Sequence, residues 1–217
     1  QLTKYEASAL YLLGSAKLLD NLDKKALKNF GIDTNQFRQS ISYVVLAGPE
    51  NPEQVLLIEN PQSFEACIRA GLHEYQALIC TFGYGLQWSQ VLERPESVVG
   101  LIRSGSANQN LKHLFSHPKV YFWGDLDCEG LNIYRSINGR LPHCQLSNLY
   151  LLMVAELHNG SYHPYTRAVE KESQAHRDGL PFLSGGVDQE RFSDKDTLIN
   201  FSSGGMTLSD LATHLPG

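Results

Sequence analysis

Between residues 3 and 30, apolar side chains recur at the spacing of an amphipathic helix. Glycines break this periodicity, since Gly14 interrupts it and Gly31 ends it. We therefore predict a helical lead-in over residues 1–42. The side chains that define the pattern are Tyr5, Leu10, Leu12, Leu13, Leu18, Leu19, Leu22, Leu27 and Phe30.

Beyond residue 42 the pattern changes to short, continuous apolar runs that alternate with longer amphipathic segments. Such runs are typical of buried strands, and we place strands at residues 43–48, 55–58, 77–81 and 120–123. Helices are predicted between and after these strands, over residues 61–70 and 130–138, with one or two helices within residues 86–116. The alternation predicts an α/β fold with a mostly parallel sheet and helices on both of its faces.

The last third of the chain has a weaker pattern. Residues 146–158 fit a helix, or a strand followed by a helix, and a helix rich in Glu and Lys is predicted over 166–176. The tail from residue 194 is expected to be loosely ordered until a short helix near 207–214. We accordingly divide the chain into the lead-in at 1–42, an α/β core at 43–145 and a C-terminal extension at 146–217 with a partly ordered tail.

Composition narrows the class of protein. An apolar fraction of 42% and a charged fraction of 19% are those of an ordinary globular chain, and we expect no membrane partner. The cysteines form no Cys-x-x-Cys pair, so we expect reduced thiols in a cytoplasmic protein. The net charge of −5 is unlike the basic surface of a free-standing nucleic-acid binder. Because the sequence begins at Gln1, we expect a fragment of a longer protein.

Carboxylates at the ends of predicted strands carry the clearest chemistry. The run at 120–123 leads into Asp125 and Asp127, and alternate side chains of an extended segment point the same way. Glu59 follows another strand, and the carboxyl ends of parallel strands share one edge of a sheet. Carboxylates that meet there repel one another unless a cation lies between them. Hard oxygen ligands favour Mg²⁺ or Mn²⁺, so the pattern predicts a site for one of these ions.

These motifs resemble the Toprim domain, which occurs in topoisomerases, primases and several nucleases. Its pattern is a glutamate after the first strand and Asp-x-Asp after a later one, and the resemblance covers about residues 53–140 and includes the glycine turn at 83–85. Flanking segments are similar to the topoisomerase VI A type of Toprim. In particular, they resemble the C-terminal region of JetD, the nuclease subunit of the bacterial Wadjet anti-plasmid system. These segments are Leu-Gly-Ser-Ala-Lys at 13–17, Arg135 with Gly139-Arg140, and Asp-Gln-Glu-Arg at 188–191.

The resemblance implies magnesium-dependent cleavage of DNA. Glu59, Asp125 and Asp127 would hold one or two metal ions, and Glu59 would alternatively act as a general acid or base. Glu190 would join them as a further catalytic carboxylate, and Glu129 as a further metal ligand. The implied partners are DNA and an SMC-like motor complex, and the implied assembly is a homodimer because cutting both strands needs two sites. Contacts to the phosphate would come from the basic residues Lys17, Arg135, Arg140 and Arg191.

Hydrolysis and strand transfer, two reactions that the sequence leaves open, differ in their nucleophile. Topoisomerase and meiotic break-forming relatives use a tyrosine from a separate winged-helix domain, which this sequence does not display. We therefore favour a metal-activated water and hydrolysis. A tyrosine outside this sequence would instead give strand transfer. The sequence also leaves open a phosphatase of the haloacid dehalogenase type, a non-catalytic Toprim scaffold, and aspartates that only cap the helix after the strand.

Overall fold

The computed structural model describes residues 1–29, 31–33, 36–38, 41–81, 88, 91–163 and 185–215. The chain divides into two compact units, Gln1–Ile41 and Ser42–Gly217. The first unit contains α1 (Lys4–Tyr11), α2 (Leu18–Asn21) and α3 (Lys24–Asn29). The predicted helical lead-in is thus a set of short helices. The chain turns after α1, where Gly14 takes a φ of 72° that suits glycine.

The second unit alternates strands and helices, which confirms the predicted α/β class. Its strands are β1 (Ser42–Gly48), β2 (Gln54–Ile58), β3 (Gln76–Cys80), β4 (Val98–Gly105), β5 (Val120–Trp123), β6 (Gln145–Ser147) and β7 (Gly205–Met206). Its helices are α4 (Pro61–Ala70), α5 (Leu111–Phe115), α6 (Cys128–Asn138), α7 (Leu149–His158), α8 (Lys195–Phe201) and α9 (Leu208–His214). Single 3₁₀ turns lie at Leu72–Glu74, Pro95–Ser97 and Gln189–Arg191.

The described strands form one seven-stranded sheet in the order β4-β1-β3-β2-β5-β6-β7. The sheet is mostly parallel, as predicted, because β2 pairs in parallel with β3 and β5, and β5 pairs in parallel with β6. The antiparallel pairs are β1 with β3 and β7 with β6. Ile58 and Trp123, the last residues of β2 and β5, are direct partners in the ladder. The segments that follow these two strands therefore leave the sheet side by side.

The core lies around the central strands. Every residue of β2, β3 and β5 is buried, so both faces of the sheet are covered at this point. Helix α4 begins where the sequence predicts, because Asn60 caps it and Pro61 occupies its first turn. None of the described helices combines the length and the apolar character that crossing a bilayer requires.

Residues 86–116 contain a helix, as predicted, but they also contain β4 over residues 98–105, which the sequence pattern does not predict. This strand pairs in parallel with β1 at the edge of the sheet. Its apolar side chains Val99, Leu101 and Ile102 are largely exposed, so the strand lacks the clean alternation of a half-buried strand. Its pairing with β1 joins residues far apart in the chain, and a local pattern does not contain that contact. Helix α5 lies within the later part of the predicted segment.

The expectation of a loosely ordered tail is wrong. Between residues 194 and 215 the chain forms α8, β7 and α9, of which α9 matches the predicted helix near 207–214. The side chains of Gln54 and Gln76 both donate to Ser202, at 2.8 Å each, and join the tail to the sheet. For residues 146–158, the prediction of a strand followed by a helix is confirmed. The helix predicted at 166–176 lies outside the described residues.

The division of the second unit into a core at 43–145 and an extension at 146–217 stays a prediction. Strands β6 and β7 continue the same sheet beyond residue 145. Tail residues also enter the main apolar core, since Leu198, Met206 and Leu211 belong to it. The extension is therefore packed as part of the sheet's own unit.

Replacing Leu198 with alanine measures how much the tail contributes to the core. Leu198 is completely buried, so the truncation leaves a cavity and should lower the free energy of unfolding by about 2–5 kcal/mol. The control is Lys195→Ala on the exposed side of the same helix, which should change it by less than about 0.5 kcal/mol. Urea unfolding measures both. A Leu198→Ala protein as stable as wild type would contradict a packed tail.

Candidate active site

Glu59 and Asp125 meet at the carboxyl ends of β2 and β5. The N–H of Glu59 donates to the carbonyl of Trp123 at 3.0 Å, which extends the pairing of the two strands by one residue. The N–H of Asp125 then donates to Glu59 Oε2 at 3.3 Å. Two acids that are 66 residues apart in the chain therefore lie in contact, as the sequence predicts.

Gly124 makes this approach possible. A Cβ at position 124 would collide with Glu59 Oε2 and lie 2.8 Å from the ring of Phe122. The N–H of Gly124 donates to the hydroxyl oxygen of Tyr150 at 3.0 Å. The turn after β5 thus presents consecutive N–H groups to Tyr150 and to Glu59. Any side chain at position 124 would push the Glu59 carboxylate away from the turn.

Asp127 begins helix α6. Its Oδ1 accepts from the N–H of Gly130 at 2.7 Å, so Asp127 is the N-cap, as the purely structural interpretation of the Asp-x-Asp motif expects. A Cβ at Gly130 would collide with the carbonyl oxygen of Asp125. The second glycine of the motif is therefore needed for the close return of α6 onto the loop. Asp127 is buried, although it is a charged residue.

The segment at 185–191 closes over the same edge. Leu126 and Val187 exchange backbone hydrogen bonds at 3.0 and 3.3 Å. The N–H of Gln189 donates to Asp125 Oδ1 at 2.9 Å. The side-chain amide of Asn60, the neighbour of Glu59, donates to Glu190 Oε1. Glu190 therefore lies at the edge of the sheet where the other carboxylates gather.

Burial and the neighbouring acids raise the pKa values of Glu59 and Asp125. Burial first, and then the charge of Asp125, raise the pKa of Glu59 from its ordinary value of 4.5 to about 8. Burial likewise raises the pKa of Asp125 from 3.8 to about 7, with further contributions from Asp127 and Glu190, and the Gln189 N–H opposes the rise. Glu129, exposed in the first turn of α6, also contributes to the shift at Glu59. Without a cation the site thus favours protonated carboxyl groups.

The predicted basic residues are spread over the molecule. Arg191 is near the carboxylates, but it is paired with Glu156 at 2.7 Å. Arg140 is paired with Glu93 at 2.6 Å. Arg135 lines a cavity of about 670 Å³ with residues at the amino ends of β5 and β6, at the opposite edge of the sheet. Lys17 lies in the first unit, and phosphate contact by any of the four stays a prediction.

Sequence reasoning missed several side chains at this edge. Tyr150 is completely buried beneath the turn, and its pKa is raised well above the usual range by burial and then by the charge of Glu59. His163 Nε2 lies 3.1 Å from Asp188 Oδ1. Gly186 lies between the His163 ring and Asp127, since its Cβ would be 3.3 and 3.2 Å from them. The sequence gives no signal for Tyr150 or His163, because both approach the site through tertiary packing.

The donor set is one that a hard divalent cation prefers, since it consists of carboxylate oxygens. Each of Glu59, Asp125 and Asp127 directs one oxygen to a backbone N–H and has a second oxygen for another ligand. In this arrangement no described group of three or more His, Cys, Asp and Glu side chains could hold a metal ion. These oxygen donors are therefore of the kind that a hard metal ion binds. In this arrangement, however, the carboxylates are oriented so that they accept hydrogen bonds from backbone N–H groups.

Comparison with known proteins places the chain in a family. A family model described as Wadjet protein JetD, C-terminal, matches residues 16–192. This range includes all of the carboxylates described above. Searches of curated proteins and of solved structures gave no match. Because the matched range covers most of the chain, the protein belongs to the family of the C-terminal region of the Wadjet protein JetD.

Proposed function

We propose that the protein is a metal-dependent DNA endonuclease of Toprim type that cleaves plasmid or other foreign DNA. Membership of the JetD family implies a role in Wadjet defence. The observation that carries the nuclease proposal is the meeting of Glu59, Asp125 and Asp127 at one edge of the sheet. An edge at the carboxyl ends of parallel strands is also where α/β folds place their ligands.

The proposed cofactor is Mg²⁺ or Mn²⁺, held by Glu59, Asp125 and Asp127, with Glu129 and Glu190 as further acidic groups. Burial first, and then the neighbouring acids, raise the pKa values of Glu59 and Asp125, and a divalent cation would offset both effects by stabilising the charged carboxylates. Bound there, the metal would activate water and stabilise the charge of the displaced oxygen. Backbone donors orient the carboxylates, and Asn60 holds Glu190 beside them.

Water is the nucleophile that the site supports better than a tyrosine beneath it. Among the described tyrosines, Tyr150 donates no attacking group to the site readily, because it contacts the turn after β5 with its ring completely buried. Its hydroxyl oxygen already accepts from the Gly124 N–H. Burial also raises its pKa, which disfavours the phenolate that would attack a phosphate. Tyr150 therefore acts as a support of the turn, and we propose hydrolysis.

We further propose that DNA is presented by an SMC-like motor complex and that the full-length protein is a homodimer. Wadjet is a multi-subunit system, which supports a role for this chain beside partner subunits. The net charge of −5 supports this proposal, because a nuclease subunit with an excess of acidic residues needs the surfaces of partner subunits to bind the DNA phosphates. Two copies would supply one site for each strand.

Asp127→Asn separates the charge of Asp127 from its capping role. Asparagine caps a helix about as well as aspartate, so α6 should be kept while an anionic ligand is lost. We expect plasmid cleavage in Mg²⁺ or Mn²⁺ to fall by about 100-fold or more, the scale of removing one group that stabilises the transition state. The assay uses the full-length protein with the other Wadjet subunits and follows nicked and linear DNA on gels.

The matched control is Asp194→Asn, the same change at the N-cap of α8. It should leave cleavage within about twofold of wild type, as is usual for an exposed substitution of this kind. Cleavage retained by Asp127→Asn would refute the metal assignment. A covalent protein–DNA adduct would replace hydrolysis by strand transfer. Phosphate release from small phosphomonoesters would favour a phosphatase instead.

In the metal-free protein, stability should fall as pH rises from about 5 to about 8. Folded Glu59 and Asp125 keep protons up to pKa values of about 8 and 7, whereas the unfolded chain releases them at ordinary values of 4.5 and 3.8. The unfolded state therefore binds fewer protons in this window, so raising the pH favours it. Melting temperatures in EDTA at several pH values measure the trend.

The control for this pH dependence is the double variant Glu59→Gln and Asp125→Asn, which keeps an oxygen acceptor for each backbone N–H. Its melting temperature should vary less with pH. At pH 8, Mn²⁺ should raise the melting temperature of wild type more than that of the double variant, because a ligand of the folded state stabilises it. Equal pH slopes in the two proteins would exclude these carboxylates as the cause.

A further inference from the structure

A cleft of about 510 Å³ opens beside the carboxylates. Its lining includes Tyr162, His163, Asp188, Glu190 and Arg191. The cleft is continuous with the active edge, since the residue between Asp188 and Glu190 donates its N–H to an active-site aspartate. A volume of this size is typical of small-ligand sites and accommodates one nucleotide.

Tyr162 provides the apolar surface of the cleft. Its ring lies against Gly185, where a Cβ would be only 2.9 Å from Tyr162 Cε2. The side chain is nevertheless 43% exposed. In the described part of the second unit, the other exposed large apolar side chains are Tyr43, Val99, Leu101 and Ile102, all on β1 and β4. An aromatic ring that contacts the backbone and is partly exposed is suited to stacking with another flat ring.

The polar groups of the cleft are held in place by neighbours. His163 Nε2 lies 3.1 Å from Asp188 Oδ1. Arg191 pairs with Glu156 at 2.7 Å and donates to the carbonyl of Ser161 at 2.9 Å. These contacts fix one imidazole and one guanidinium at the cleft without burying either of them. The cleft therefore combines a stacking surface with two groups that can bind phosphate.

We propose that this cleft binds one nucleotide of a single DNA strand next to the cleaved phosphodiester. The base stacks on Tyr162, while His163 and Arg191 face the phosphate of the same nucleotide. This inference rests on the proposed nuclease function and specifies the substrate of that site. Stacking tolerates any base, and it supplies affinity that an acidic protein does not obtain from phosphate contacts alone.

Equilibrium binding of a short single-stranded oligonucleotide tests the cleft without any cleavage. The whole chain is titrated into fluorescein-labelled DNA in Ca²⁺ or EDTA, and fluorescence anisotropy gives the dissociation constant. Tyr162→Ala should weaken binding by roughly tenfold, within the range expected for loss of one stacked base. Tyr162→Phe keeps the ring and should bind within about twofold of wild type.

Tyr43→Ala is the matched control, because Tyr43 is 48% exposed, lies on β1 and does not line the cleft. It should leave the dissociation constant unchanged. A set of oligonucleotides with one abasic position each adds a second arm. At one position, removal of the base should weaken DNA binding by the wild type but should not weaken binding by Tyr162→Ala any further. This result would show that the base at that position stacks on the Tyr162 ring.

Several outcomes overturn the proposal. They are wild-type affinity in Tyr162→Ala, equal losses in the alanine and phenylalanine variants, absence of DNA binding by the wild type, or a covalent DNA adduct that Tyr162→Phe abolishes. The result is independent of the metal assignment, since binding is measured without turnover. If Asp127→Asn retains cleavage, the proposed metal site falls while binding that depends on Tyr162 stands. If Tyr162→Ala binds normally, the cleft falls and the metal proposal stands.

Discussion

The parallel pairing of β2 with β5 is the constraint on which the candidate site depends. The partnership of Ile58 with Trp123 brings the two strands to an end at the same level, so Glu59 and Asp125 leave the sheet next to each other. A slip of one residue would turn every side chain of the slipped strand to the opposite face. Both strands are buried along their whole length, so a slip would require the closely packed core on both faces of the sheet to repack. The apolar core therefore positions the acids, although no acid belongs to that core.

The close contact of Glu59 and Asp125 places two carboxylates that repel each other side by side. The protein holds the acids with backbone donors, from Asp125 to Glu59 and from Gln189 to Asp125. The absence of a side chain at Gly124 leaves room for the Glu59 carboxylate, and the hydroxyl oxygen of Tyr150 accepts the N–H of Gly124. These contacts fix positions but leave the pKa values of Glu59 and Asp125 high. The fold thus gathers acidic groups whose charged forms its own groups do not stabilise, and the proposed cation would stabilise those charged forms.

Much of this arrangement could be predicted from the sequence because it rests on local patterns. Continuous apolar runs indicated the buried strands, and strand ends in an α/β fold indicated where Glu59 and Asp125 would meet. β4 was missed because pairing with β1, not its own pattern, makes it a strand. The ordered tail was missed for a similar reason, since Leu198 is buried only through long-range packing. The contact of Tyr150 with the turn after β5 and the position of His163 in the cleft likewise depend on tertiary contacts, which the spacing of residues in the sequence does not reveal.

A purely structural role for these acids explains their hydrogen bonds but not their charges. Asp127 needs only an oxygen to cap α6, and asparagine provides one equally well. An amide oxygen would also accept the N–H groups that reach Glu59 and Asp125, without mutual repulsion. The positive end of α6 compensates part of the charge at Asp127, whereas burial first, and then the charge of Asp125, raise the pKa of Glu59 to about 8. Acids at positions where amides would make the same hydrogen bonds support the proposal of a ligand that requires anions, and a divalent metal is such a ligand.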